Sequence, residues 1–262
     1  MQPRFEKGIF FRPPYTVEVA VGLVAVLAVM FRLDEPAHRL AVAVGWEAEP
    51  LLRGLTSVGD SAWYLIPFGI AAPLLFLLHR RLADRRRSVF AGWLAGAAGF
   101  LFASVAVAGI AVNILKAIIG RARPKFYDSF GATEFAPFTF GSEYASFPSG
   151  HANTSFAIAV ALSFFLPRLR PLLLGIATAV ALSRIGVGMH YLSDVAAGAL
   201  LATVVVYELR RQCAQRRIVF IFDREGAIRL RGPRVRQRAH RLHRKKAPAP
   251  AKRPAPQGSV NG

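Results

Sequence analysis

Three short clusters in this chain could do chemistry together. They are Lys116 with Arg123-Pro124, then Pro148-Ser149-Gly150-His151, then Ser183-Arg184 followed by His190 and Asp194. Between them they supply three cations, two histidines, one carboxylate and a glycine-containing turn. Such a set can hold a phosphate and attack its phosphorus. His190 and Asp194 are four apart, so in a helix they share a face. A carboxylate there can accept a hydrogen bond from one ring nitrogen and leave the other's lone pair free as a nucleophile.

The other two clusters complement it. Pro148 suits the first turn of a helix, where its missing N–H matters little. Ser149 and Gly150 would then offer a hydroxyl and backbone N–H groups at a helix N-terminus, a natural anion site. His151 is placed to protonate a leaving oxygen, since an unperturbed imidazole titrates near pH ~6.5. Lys116 and Arg123 are seven apart, two helical turns, and can point the same way toward equatorial phosphoryl oxygens. Arg184 adds a planar fork for two oxygens at once. Each cluster also has a plain reading: an interfacial histidine, an ordinary helix start, or headgroup anchoring by basic residues. Anchoring accounts for Arg121 better than for Lys116, which lies deeper.

These residues need elements to position them, and composition says which. The chain has 262 residues, 53% hydrophobic, with a mean hydropathy of +0.36. Apolar residues collect in blocks at 15–31, 62–79, 89–115, 148–166, 172–186 and 192–209. A hydrocarbon core about 30 Å thick takes roughly 20 helical residues. Backbone groups in lipid must be paired within their own segment, so the blocks are expected to be helices. The first carries Glu18, lacks a small-residue cleavage site and runs into Arg32-Leu33-Asp34-Glu35, which favours an uncleaved span over a signal peptide. The expected fold is therefore an all-α integral membrane protein, a six-helix bundle over residues 1–209.

Charge sets the expected orientation. Residues 79–87 carry five arginines, the turn after the fourth block has Arg168 and Arg170, and the sixth block runs into Arg210-Arg211. Short basic loops stay in the cytoplasm. Six spans with both termini inside satisfy all three. The three clusters then face outward, against the charge bias, which suggests that chemistry keeps their cations there. The acidic stretch 32–60 is expected as an outward loop with an amphipathic helix near residues 38–53. Residues 120–146 hold Phe126, Phe130, Phe135, Phe138 and Phe140, either a lid or an aromatic interface belt. Cys213, the single cysteine, excludes an internal disulfide.

Beyond Leu209 the composition changes. Residues 210–262 contain sixteen Lys/Arg against two acids, Asp223 and Glu225. Residues 217–230 alternate well enough for a small hairpin turning at 223–226, and the Ala-Pro-rich remainder is expected to be disordered. Beside a membrane span, such a basic tail reads as attracted to anionic lipid headgroups more simply than to nucleic acid, which is not expected as a partner.

Order and company now point to a family. Lys116-x6-Arg123-Pro124, Pro148-Ser149-Gly150-His151 and Ser183-Arg184-x5-His190-x3-Asp194 together resemble the three-part signature of the type 2 phosphatidic acid phosphatases, whose superfamily includes vanadium-dependent haloperoxidases. The resemblance fills every signature position and covers the six-span plan, leaving the tail outside. It implies that His190 attacks phosphorus and becomes phosphohistidine, oriented by Asp194, and that His151 protonates the leaving group. Lys116, Arg123, Arg184, Ser149 and Gly150 would bind the phosphoryl oxygens, with no metal and no other cofactor. The implied substrate is a membrane lipid phosphate, met on the outer face of a bacterial inner membrane. Asp60 and Trp63 lie in a stretch similar to bacterial members acting on lipid A, phosphatidylglycerol phosphate or polyprenyl pyrophosphate. No catalytic role is assigned to that stretch.

Other readings stand beside this one. His151, His190 and Asp194 could be metal ligands, although three neighbouring cations would repel a divalent ion. Haloperoxidase chemistry fits the motifs but not the spans. Phosphate could pass to another lipid instead of water. A non-catalytic protein recruiting partners through its basic tail would leave the outward clusters unexplained.

Overall fold

The computed structural model describes residues 15–44, 50–139 and 141–233. Helix α1, Thr16–Arg32, turns by 54° into α2, Asp34–Val44. Helices α3, Pro50–Ser57, and α4, Ala62–Arg81, follow around a tight corner. The longest helix, α5, runs Arg85–Ile119; Asp84 caps its start by accepting from Arg86 N at 2.8 Å. Then come the short α6, Tyr127–Phe130, and α7, Gly150–Ser163, α8, Arg170–Gly186, and α9, Leu192–Gln215. The six apolar blocks of the sequence are helices at nearly the expected places.

Their lengths are less uniform than a six-span plan requires. Four helical stretches, Pro50–Arg81, Arg85–Ile119, Pro167–Gly186 and Leu192–Gln215, are long and apolar enough to cross a membrane, and the bent α1–α2 pair makes a fifth if taken as one span. At 14 residues, α7 is about 21 Å long, short of a hydrocarbon core. It lies in the interior instead. Ala157 and Ala161 of α7 pack with Ala108 of α5 and Ala202 of α9, all fully buried, and these small side chains let the three helices approach closely. By contrast α4 lies along α5 and leaves Trp63 70% exposed, with Ile66, Ile70 and Leu74 also outward. That apolar surface suits lipid.

Two expectations about the connections change. The acidic stretch forms two helices, α2 and α3, instead of one amphipathic helix near 38–53, and residues 45–49 lie outside the described residues. Asp34 is fully buried because it caps and bridges other elements. In the Phe-rich segment, Gly120 ends α5 at φ 58°, and a Cβ there would lie 1.9 Å from the Ala136 oxygen. Only glycine permits that turn. The segment then folds back, with Phe138 N donating to Ala117 O at 2.8 Å; Phe135 and Phe138 are exposed.

At the other end, strands β1, Phe220–Phe222, and β2, Ile228–Leu230, pair antiparallel with Phe220 opposite Leu230. Asp223 and Ala227 close the turn, with Gly226 at φ 77°. Phe220 is fully buried against Phe100, Phe164 and Phe165, and Trp93 Nε1 donates to Arg231 O at 2.6 Å. The hairpin is thus packed onto α5, α7 and α9. Residues 234–262, expected as disordered, lie outside the described residues.

Candidate active site

The bundle places the three clusters at one end: the C-termini of α5 and α8 and the N-termini of α7 and α9. The basic loops around Arg85–Arg87, Arg168 and Arg210 lie at the other. Main-chain bonds lace the clusters together. Arg123 N donates to Glu143 O, Ser149 N donates to Asp194 O at 2.9 Å, and Met189 N donates to Arg184 O. Gly198 allows a close approach between α7 and α9: a Cβ there would sit 2.5 Å from the Ser149 oxygen.

His190 is 3% exposed and its Nδ1 lies 2.8 Å from the main-chain oxygen of Ser146. A carbonyl can only accept, so Nδ1 carries the proton and Nε2 keeps its lone pair. Burial pushes the His190 pKa down to about 4, Asp194 pulls the other way, and Lys116 and Arg184 add to the fall. The ring is a neutral imidazole with a free nitrogen.

Asp194 does not make the direct bond to His190 that the sequence suggests. Its Oδ2 is 3.7 Å from Nδ1, beyond hydrogen-bond range. Its oxygens accept instead from Arg121 Nη1 at 2.6 Å, Ser146 Oγ at 2.5 Å and Tyr191 N at 2.8 Å. Asp194 holds the hydroxyl of Ser146, and the carbonyl of Ser146 meets the His190 ring.

Arg121, read from sequence as a headgroup anchor, is fully buried. All five of its N–H groups are used: Nη1 on Asp194 and Ser193 Oγ, Nη2 on Asp34 and Ala132 O, Nε on Ala132 O. Burial opposes its charge, but Asp194 and Asp34 outweigh that and raise its pKa. Its ring partner Tyr191 lies 4.3 Å below the guanidinium. The Asp34 carboxylate also accepts from Ser193 N at 2.8 Å, tying α2 to the start of α9. The run of acids before Asp60 gave no hint that one of them would be buried.

The three signature cations behave differently. Lys116 Nζ donates to Ala145 O at 2.6 Å, Arg123 Nη1 lies 3.5 Å from Met189 Sδ, and Arg184 Nη1 donates to Thr56 Oγ1 at 2.8 Å. Among the described residues none of the three is in an ion pair, and Arg123 Nε and Arg184 Nε are buried without a hydrogen-bond partner. Burial lowers the pKa of Arg123, with Asp194 pulling the other way. The three charges lie close enough to act on one another. Buried guanidinium nitrogens with unspent donors, as in Arg123 and Arg184, suit an anion.

The second cluster completes the cradle. Ser149 is the N-cap of α7 and Pro148 precedes it, just outside the helix instead of in its first turn. Ser149 Oγ faces Ala152 N at 3.4 Å, and a Cβ on Gly150 would meet open space. His151 follows at the first turn, half-buried. The dipoles of α7 and α9 both point their positive ends here. Ser183 is buried and, among the described residues, its hydroxyl donates back to Val180 O, so it shapes α8 instead of reaching the site. Among the described residues no three His, Cys, Asp or Glu side chains are grouped to hold a metal ion. The alternative ligand set fails because Arg121, Ser146 and Tyr191 already occupy Asp194.

Apolar helices of membrane-crossing length, with an anion cradle facing a free imidazole nitrogen at one end, define a class of membrane proteins built to take a phosphate. Residues 97–218 match the PAP2 superfamily. The chain is similar to the lipid A 1-phosphatase of Rhizobium etli, 33% identical over 202 residues, covering 72% of this chain and 82% of that one. It is also similar to the lipid A 1-phosphatase of Rhizobium johnstonii, 36% identical over 151 residues, covering 55% and 59% respectively. The fold resembles the crystal structure of a transmembrane PAP2 type phosphatidylglycerolphosphate phosphatase from Bacillus subtilis, with a TM-score of 0.53 and 22% identity over 76% of this chain and 96% of that one. The chain belongs to the PAP2 superfamily, and the resemblance carried by its three motifs holds.

Proposed function

We propose that this protein is a metal-independent phosphatase acting on the terminal phosphate of a membrane lipid. The observation that carries the reading is the set of three cations, Arg184 buried and Lys116 and Arg123 half-buried, that make no ion pair among the described residues, beside the free Nε2 of His190. Lys116, Arg123 and Arg184, with the N-terminus of α7 at Ser149 and Gly150, take the phosphoryl oxygens. Nε2 attacks phosphorus, forming the P–N bond as the P–O bond to the lipid breaks, and His151 gives its proton to the departing oxygen. Water then attacks phosphohistidine, His151 takes the water's proton, and inorganic phosphate leaves with His190 neutral again.

The apolar helices support a lipid as the group attached to that phosphate. Separation of the site from the basic loops supports six spans, an outward-facing site in a bacterial inner membrane, and cytoplasmic termini. The basic C-terminal stretch would then meet anionic headgroups on the inner leaflet. Two relatives named lipid A 1-phosphatases make the 1-phosphate of lipid A the first substrate to try.

The test is phosphate release by detergent-solubilised protein from lipid A, phosphatidylglycerol phosphate, phosphatidic acid and undecaprenyl pyrophosphate. Release from at least one lipid, inhibited by vanadate, untouched by chelator and abolished in His190→Ala, is the expected result. Full activity in His190→Ala, or loss on chelation restored by zinc, contradicts the reading.

A further inference from the structure

The corner between α3 and α4 carries none of the three motifs, yet it touches two of their residues. Thr56 Oγ1 accepts from Arg184 Nη1 at 2.8 Å. Gly59 is buried against His151: a Cβ at position 59 would lie 2.9 Å from His151 Cβ, 3.1 Å from its Cδ2 and 3.0 Å from Val180 Cγ1. The corner is itself pinned. Val58, Gly59 and Asp60 donate back to Leu55, Thr56 and Ser57 oxygens, Tyr64 Oη donates to Val58 O at 2.8 Å, and Asp60 Oδ1 accepts from Ala62 N.

Such pinning has a consequence for both catalytic groups. Arg184 has a rotatable stem, and its Nε finds no protein partner among the described residues. One Nη held by Thr56 fixes the plane of the fork and leaves its remaining N–H groups for a ligand. His151 makes no hydrogen bond among the described residues that would fix its ring, so packing against the Gly59 backbone limits its travel on that side. Catalytic groups need their geometry held by neighbours to be effective.

We infer that Thr56 and Gly59 are positioning residues for the phosphatase reaction, Thr56 setting the Arg184 fork against the phosphate and Gly59 setting His151 against the leaving oxygen. This rests on the phosphatase reading. The two halves separate chemically. Loss of Thr56 weakens oxyanion binding whatever the leaving group. Displacement of His151 matters when the leaving oxygen needs a proton, as an alkoxide does, and little when it leaves as nitrophenolate.

The experiment uses the full chain in detergent, with orthovanadate as probe and a lipid phosphate and p-nitrophenyl phosphate as substrates. Thr56→Val raises the vanadate inhibition constant about tenfold or more, the scale of a hydrogen bond to a charged group, and Thr56→Ser restores it. Gly59→Ala lowers kcat on the lipid about a hundredfold, the lower range of general-acid effects, while p-nitrophenyl phosphate turnover changes less than about threefold. Thermal unfolding of each variant is measured alongside. If Thr56→Val does not fold, Thr56→Ala against Thr56→Ser carries the comparison, and equal vanadate constants overturn the Thr56 role. If Gly59→Ala does not fold, it is paired with Val180→Ala, which removes the 3.0 Å contact and keeps those to His151, and equal losses on both substrates overturn the Gly59 role. A wild type that releases no phosphate, or a His190→Ala variant that does, removes the phosphatase reading itself; an active wild type with unaffected variants removes only this inference.

Discussion

His190 Nδ1 sits 2.8 Å from the main-chain oxygen of Ser146, while the Asp194 carboxylate is 3.7 Å away and hydrogen-bonded to Ser146 Oγ. The tautomer of the proposed nucleophile is therefore set by a backbone carbonyl, and the Asp194 carboxylate holds the residue that provides it. Ser146→Ala keeps the carbonyl but removes one charge-assisted bond. It should lower stability by about 1.5–3 kcal/mol and leave His190 competent. Thermal unfolding and kcat on one lipid measure the two effects, and loss of all turnover with an intact fold would contradict the arrangement.

Arg121 predicts a larger change. It neutralises two fully buried carboxylates, so Arg121→Met strands Asp34 and Asp194 and should destabilise by about 3–5 kcal/mol. Asp34→Asn in the same chain should relieve part of that. A double-mutant cycle followed by unfolding reports coupling between the two sites; simple additivity would count against a shared network.

The cradle cations, which make no ion pair among the described residues, predict an ordered set of losses. Arg123→Ala or Arg184→Ala should lower kcat about 10²- to 10³-fold, as for other electrostatic donors. Arg123→Lys retains charge but loses the fork, and should recover only part of the activity. The readout is phosphate release together with vanadate inhibition.

Acid has a defined sign. The folded pKa of His190 is about 4 against 6.5 ordinarily, so between those values the unfolded chain binds more protons than the folded one. Stability from this group is complete above the ordinary value and is lost as pH falls through the window toward about 4. The free-enzyme acid limb of kcat/KM due to His190 should likewise fall near 4, measured in a pH profile alongside unfolding.

The helices and the site differ in how far residue order reveals them. Apolar runs mark α1, α4, α5, α8 and α9 because burial in lipid or in the bundle demands continuous hydrophobicity. The same run over 148–166 suggests a span, yet its small residues place α7 inside the bundle, a tertiary outcome that hydropathy does not encode. Lys116, Arg123, His151, Arg184 and His190 are legible because their types and spacing carry chemistry. Asp34, Thr56, Arg121 and Ser146 act through contacts 44 or more residues away along the chain, between ordinary polar residues with no local pattern. Gly198 shows its purpose only once Ser149 O is seen beneath it.

The central assignment concerns one bond, from His190 Nε2 to phosphorus. Brief incubation with a lipid carrying radiolabelled phosphate, quenched in alkali, tests it directly. A phosphohistidine at His190 gives a protein-bound label that survives base, is released by acid and is missing from a folded His190→Ala variant. Label of the same abundance and stability in that variant, or an active wild type that never acquires it under rapid quench, would rule out His190 as the phosphorylated group.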